Sequence, residues 1–95
     1  MQTEELKALV RDALVKHSRL KLMAVRDEDH LARDLGFDSF ALLQAVLDLE
    51  DRLKVEIEPS ELAGLRDMTF RELVRLIEVQ LDRPAAAVPR EGGSG

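Results

Sequence analysis

Apolar residues recur with the period of a helix in three stretches of the chain. In TEELKALVRDALVKHS, Leu6, Leu9, Val10, Ala13 and Leu14 fall at offsets of 0, 3, 4, 7 and 8, one stripe on one helix face. Thr3 is placed to cap that helix. Glu4 and Glu5 lie in its first turn and Lys16 and His17 in its last, where each charge complements the helix dipole. The spacing predicts a helix over 4–17. A second helix is predicted from Asp38 or Ser39 to about Leu53. Phe40, Leu43, Val46, Leu47 and Leu53 suffice for its buried face, which leaves Leu42 and Leu49 outside the stripe. The last helix has the clearest start signal. Thr69 and Glu72 form a T-x-x-E capping box, with Met68 and Leu73 as its hydrophobic staple. Phe70, Leu73, Val74, Ile77 and Leu81 then carry the stripe to about Asp82, and Pro84 prevents continuation.

The stretches between are less periodic. RLKLMAV reads as a short strand or the start of a long loop, and RDEDHLARDLG can hold a helical turn. A connection this long inside a small domain has to be packed or functional. Leu20, Leu22, Val25, Leu31 and Leu35 are the residues able to tie it to the helices as a packed loop. KVEIEP alternates apolar and charged residues as an extended link. Pro59 suits the first turn of a short third helix, with Gly64 as its C-cap. The expected fold is all-α: a small antiparallel four-helix bundle of three main helices and one short one, with a long first loop. Residues 1–83 form the domain and 84–95 a flexible tail.

Composition narrows the chemistry. With 95 residues there is room for one domain, and a chain of this size buries only about 60–65% of its unfolded surface, so a deep catalytic pocket is not expected. The absence of Cys excludes disulfides, a thiolate nucleophile and a cysteine zinc site. No apolar run approaches the roughly 20 residues of a membrane span, and no signal-peptide core begins the chain, so a reduced, cytoplasmic setting is expected. The net charge of −5 is unevenly spread: residues 1–26 carry +3, residues 27–61 carry −8, and residues 62–95 balance. The acidic middle repels nucleic acid and steers basic partners, or it merely keeps a small protein soluble.

Few side chains are arranged for catalysis or metal binding. His17 and His30 are the two histidines; neither has a spacing that puts it beside Ser39, and the glycine elbow of a nucleophilic serine is missing. Asp27, Glu28, Asp29 and His30 lack the glycine and twelfth-position glutamate of a calcium loop and read as a solvated acidic loop, so no metal is expected. The stretch LGFDSF, residues 35–40, is different. Asp38 is the better N-cap, which puts Ser39 at the first helical position, where its hydroxyl is not needed for capping. There it would project at the positive end of the helix dipole, a favourable place for a phosphate. Local physics leaves two readings open, a second-choice capping residue and an attachment point.

DLGFDSFALLQAVLDLEDRLKVEIEPSEL resembles the core of the acyl and peptidyl carrier proteins. The similarity rests on Leu35, Gly36, Asp38 and Ser39, the acidic Asp48, Glu50 and Asp51, the VEIEP link at 55–59 and the order of helices, and it covers residues 3–82. It implies a carrier, not an enzyme. Ser39 would be esterified with 4′-phosphopantetheine from coenzyme A by a phosphopantetheinyl transferase that also recognises Asp38. The arm's thiol would hold an acyl or aminoacyl cargo as a thioester. Acyl- or aminoacyl-loading ligases and synthases would dock through basic surfaces, with Phe40, Leu42, Leu43, Asp48, Glu50 and Asp51 as the docking candidates. Among these, Phe40 is also expected to turn inward and anchor the first turn. A monomer is expected, with no nucleic acid or membrane partner. Phe40 stands where the family usually has Leu, and Ala41, Leu42 and Gln44 stand where carriers of fatty-acid synthesis tend to be acidic. These departures point to a specialised pathway: polyketide, nonribosomal peptide or dedicated amino-acid loading. The rival reading is an acidic helical interaction module without a prosthetic group.

Overall fold

In the computed structural model, residues 2–18 and 24–82 are described. They form α1 (Thr3–His17), α2 (Ser39–Leu53), a short α3 (Pro59–Leu62), a 3₁₀ turn (Leu65–Asp67) and α4 (Phe70–Asp82). The expected all-α fold, with three main helices, one short one and a long first connection, is what the chain adopts. The 84–95 tail lies outside the described residues, as do Leu20 and Leu22 of the long loop.

The helix starts follow local rules. α1 is capped one residue earlier than the sequence implies, by Gln2, whose N–H donates to the Glu5 carboxylate at 3.2 Å. This frees Thr3 to donate its hydroxyl to Glu78 at 2.8 Å, fastening the start of α1 to the end of α4. At α4 the capping box closes as expected, Thr69 N–H to Glu72 at 2.9 Å and Glu72 N–H to the Thr69 hydroxyl at 3.2 Å. α2 ends on Lys54, a non-glycine residue held in the left-handed region at φ 57°, with its N–H on the Glu50 carbonyl. Gly64, expected to end α3, has φ −97° and instead opens the 3₁₀ turn; Ala63 ends α3.

The buried face of α2 differs from the expected one. Ala41, Leu42, Ala45, Val46 and Leu49 are buried, and Phe40, Leu43 and Leu47 face solvent at 61%, 40% and 52% exposure. Two apolar stripes share this helix. The structure buries the one that contains two alanines, whose small side chains let neighbouring backbones approach closely. Leu42 is therefore a core residue at 0% exposure, and Phe40 does not turn inward. α1 contributes Leu6, Val10, Ala13 and Leu14 to the same core, and α4 contributes Phe70, Leu73, Val74 and Ile77.

Polar contacts fix how the helices meet. Asp48 on α2 accepts from Arg52 at 3.1 Å and lies 3.3 Å from His17 Nε2 and 3.8 Å from the Lys16 ammonium, joining α2 to the end of α1. Partial desolvation pushes its carboxyl up, but the His17 hydrogen bond and the charges of Arg52 and Lys16 outweigh this and hold it below the ordinary 3.8. Asp27 in the long loop is likewise held low. The Lys7 hydrogen bond at 3.0 Å is the main cause; partial desolvation opposes it, and Arg71 at 3.7 Å adds to it. Because Thr3 meets Glu78 while Lys7 and Arg71 meet through Asp27, α1 and α4 run in opposite directions.

Two outcomes are expected. Leu42→Ala should lower unfolding free energy by about 2–5 kcal/mol, and Phe40→Ala by less than about 0.5 kcal/mol, measured by urea denaturation; the reverse order would restore the inward Phe40. Asp48 ionises more readily in the folded chain, so its contribution is present above its unfolded value of about 3.9 and lost as pH falls through the lower folded one. Asp48→Asn should thus destabilise at neutral pH, with the gap to wild type closing as pH falls from about 5 through and below the ordinary carboxylate range. Denaturation midpoints across that range test this.

Candidate functional site

The loop before α2 is built to deliver Asp38 and Ser39 to the surface at a fixed place. Val25, Leu31, Leu35 and Phe37 are buried along it. Its backbone is clamped to the start of α4: Leu31 N–H donates to the Met68 carbonyl at 2.9 Å, Phe70 N–H to Asp29 at 2.8 Å, and Arg71 N–H to Asp27 at 2.9 Å. A turn over 31–35 is then closed by Gly36, whose φ of 75° favours glycine, and by Phe37 N–H on the Leu31 carbonyl. The chain leaves this turn with Phe37 in the core and Asp38 outside.

Asp38 caps α2, its carboxylate accepting from Ala41 N–H at 2.8 Å. Ser39 follows as the first residue of the helix and is exposed. It stands at a cleft of about 370 Å³ whose other walls are Leu42, Leu43, Pro59, Leu62, Ala63, Leu65 and Arg66. The cleft thus joins the start of α2 to α3 and the 3₁₀ turn. α3 is held in place by Gln80 of α4, which donates to Glu61 at 3.2 Å. The link before it is held by Ile57 N–H on the Glu50 carboxylate at 2.7 Å.

The docking candidates separate. Phe40 and Leu43 are exposed near Ser39, and Asp51 is exposed further along α2. Leu42 is buried, so the contact expected of it as an outward residue is corrected: it packs in the core and contributes to the cleft from below. Asp48 and Glu50 are half-buried and committed to internal contacts. Leu47, assigned to the core by its spacing, extends the exposed stripe of Phe40 and Leu43. Pro59, Leu62, Leu65 and Arg66 were not singled out as site residues. They lie 20 or more positions from Ser39, and no local pattern signals that adjacency.

RDEDH is a structural element. Asp27 and Asp29 give their carbonyls to α4, and His30 Nδ1 accepts from Arg33 N–H at 3.2 Å. Among the described residues no group of three or more His, Asp or Glu is placed to hold a metal ion, and no helix is long and apolar enough to cross a membrane.

Comparisons with known proteins bear on this site. The family described as phosphopantetheine attachment site matches residues 4–77. The acyl carrier protein of Campylobacter concisus (strain 13826) is 35% identical over 69 residues, which cover 73% of this chain and 87% of the relative. The acyl carrier protein of Saccharopolyspora erythraea is 28% identical over 94 residues, covering 92% and 99%. A probable acyl carrier protein of Caulobacter vibrioides is 37% identical over 57 residues, covering 60% and 64%. No solved structure matches at a significant level. The family is defined by covalently attached 4′-phosphopantetheine, whose attachment needs an exposed hydroxyl with room beside it, and Ser39 at its cleft offers both. The reading as an interaction module without a prosthetic group is thereby set aside. The match over residues 4–77 joins the order of helices and the exposed serine over its cleft in one conclusion: this chain belongs to the phosphopantetheine-binding acyl carrier family, as a carrier and not an enzyme.

Proposed function

We propose that Ser39 is the residue of this acyl carrier protein that bears the 4′-phosphopantetheine, in a carrier unit spanning residues 1–83, and that Asp38 fixes its presentation to the transferase. The observation that carries the reading is the division of labour at the start of α2. Asp38 satisfies the helix N-terminus, so the exposed Ser39 hydroxyl beside the cleft is left for chemistry. Elsewhere, Thr3 and Thr69 spend their hydroxyls on Glu78 and Glu72. In the transfer, Ser39 Oγ bonds the pantetheine-bearing phosphorus of coenzyme A and gives its proton to a base of the transferase. The pyrophosphate bond breaks and adenosine 3′,5′-bisphosphate leaves. Once attached, the group supplies the terminal thiol that this cysteine-free chain lacks, for a thioester with acyl or aminoacyl cargo.

The face offered to partner enzymes is the stripe of Phe40, Leu43 and Leu47 with Asp51 beside it. An apolar centre with charge at its rim is the usual anatomy of a specific interface. The excess of −8 over residues 27–61 favours partners with basic rims and speeds their encounter. Asp48 and Glu50 contribute to that field while serving internal contacts. Ala41 and Gln44, uncharged near the start of α2, support a specialised pathway of polyketide, nonribosomal peptide or amino-acid-loading type. The protein acts as a cytoplasmic monomer in this reading.

Incubation with coenzyme A and a broad-specificity phosphopantetheinyl transferase should add one phosphopantetheine to the wild type and none to Ser39→Ala, read by intact mass. A gain on the alanine variant would move the attachment elsewhere. Leu47→Ala should lower the transferase kcat/KM about five- to tenfold, the size of effect expected of an interface anchor, while changing stability by less than about 0.5 kcal/mol. An unchanged kcat/KM would remove Leu47 from the docking face.

A further inference from the structure

The cleft beside Ser39 has apolar walls and one charged side chain, Arg66. Arg66 is exposed and has no ion-pair or hydrogen-bonding partner among the described residues. Its backbone is nonetheless anchored. It lies between buried Leu65 and Asp67 in the 3₁₀ turn, where Asp67 N–H bonds the Gly64 carbonyl at 3.1 Å and Met68 N–H the Leu65 carbonyl at 3.1 Å. Arg66 also borders a second hollow, formed with His30, Ala32, Arg33, Ala63 and Asp67, and so stands on the ridge between the two. Asp67 is the carboxylate nearest in sequence, and it forms no ion pair with Arg66. A cation without a partner among the described residues thus stands in the wall of the cleft that Ser39 also lines.

We propose that Arg66 is a positioning residue for the prosthetic arm. Its guanidinium pairs with the phosphodiester on Ser39 and turns the pantetheine inward along Leu43, Pro59 and Leu62. This rests on Ser39 as the attachment point. A phosphodiester keeps one negative charge at neutral pH, and a guanidinium's planar fork offers two parallel N–H donors to its oxygens. The phosphate is tied to the first residue of α2 and cannot leave the mouth of the cleft. The flexible Arg66 side chain reaches across to it from the opposite wall. The pair is exposed and salt-screened, so it is weak enough for a partner enzyme to break when it draws the arm out. Arg66 thereby sets a balance between an arm laid on the protein and an arm extended to the partner.

The test uses the loaded protein, with loading to one phosphopantetheine verified by intact mass. In wild type, the Arg66 Nε–Hε resonance, assigned by its loss in Arg66→Gln, should shift between apo and holo forms, and the shift should shrink in 1 M salt. The ³¹P resonance of the holo protein should differ between wild type and Arg66→Gln, with Arg66→Lys between them. Loading should raise the wild-type Tm by about 2–4 °C, the size expected of a weak pair in a domain this small, and that of Arg66→Gln by less than half as much. Loaded wild type with an unmoved Arg66 resonance and a ³¹P resonance indifferent to the substitution would overturn the Arg66 assignment and leave Ser39 intact. No mass gain on folded wild type would overturn the attachment reading and this one with it.

Discussion

Residues 27–31 bond the first turn of α4 through their backbone, and the position of Ser39 depends on this clamp. Three amide–carbonyl bonds of 2.8–2.9 Å tie the loop to Met68, Phe70 and Arg71. Phe70 and Arg71 open α4, so their N–H groups have no partner within their own helix, and the loop carbonyls satisfy them. From that anchored point the turn over 31–35, Gly36 and buried Phe37 leave little freedom in where Asp38 emerges. A long connection becomes a rigid support because its amides and apolar side chains are both accounted for.

The acidic residues of the middle segment do two kinds of work. Asp27 and Asp48 each meet side chains of neighbouring elements, Lys7 and Arg71 in one case and Lys16 and His17 in the other, and Asp48 also pairs with Arg52 on its own helix. Glu50 holds the amide of Ile57 and so fixes the link that leads to α3. These contacts tie the three main helices to one another and to the loops between them. All three carboxylates stay partly exposed, so the residues that brace the fold also contribute to its acidic outer field.

The proposed attachment point lies where two surfaces of different character meet. Along α2 runs an exposed stripe of Phe40, Leu43 and Leu47, suited to contact with another protein. Across the cleft lie α3 and the 3₁₀ turn, with apolar walls and Arg66. Leu43 belongs to both. A partner docking on α2 would therefore cover part of the cleft, so docking and the placement of the arm are coupled by simple overlap.

The sequence by itself determined the number, order and approximate limits of the helices, because hydrophobic period, capping residues and proline act within a few positions of one another. It also determined the family, since LGFDSF, the acidic helix and VEIEP lie in one continuous stretch. Tertiary structure decided which face of α2 is buried. That helix has two apolar stripes of similar strength, and only packing against α1 and the 3₁₀ turn selects the one with Ala41 and Ala45, sending Leu42 inward and Phe40 outward. It also decided what lines the cleft, because Leu62, Leu65 and Arg66 meet Ser39 only after the loop clamp and the Gln80–Glu61 contact have set α3 in place. Local periodicity reports that a side chain has an apolar face to share; which neighbour shares it is fixed by the chain as a whole.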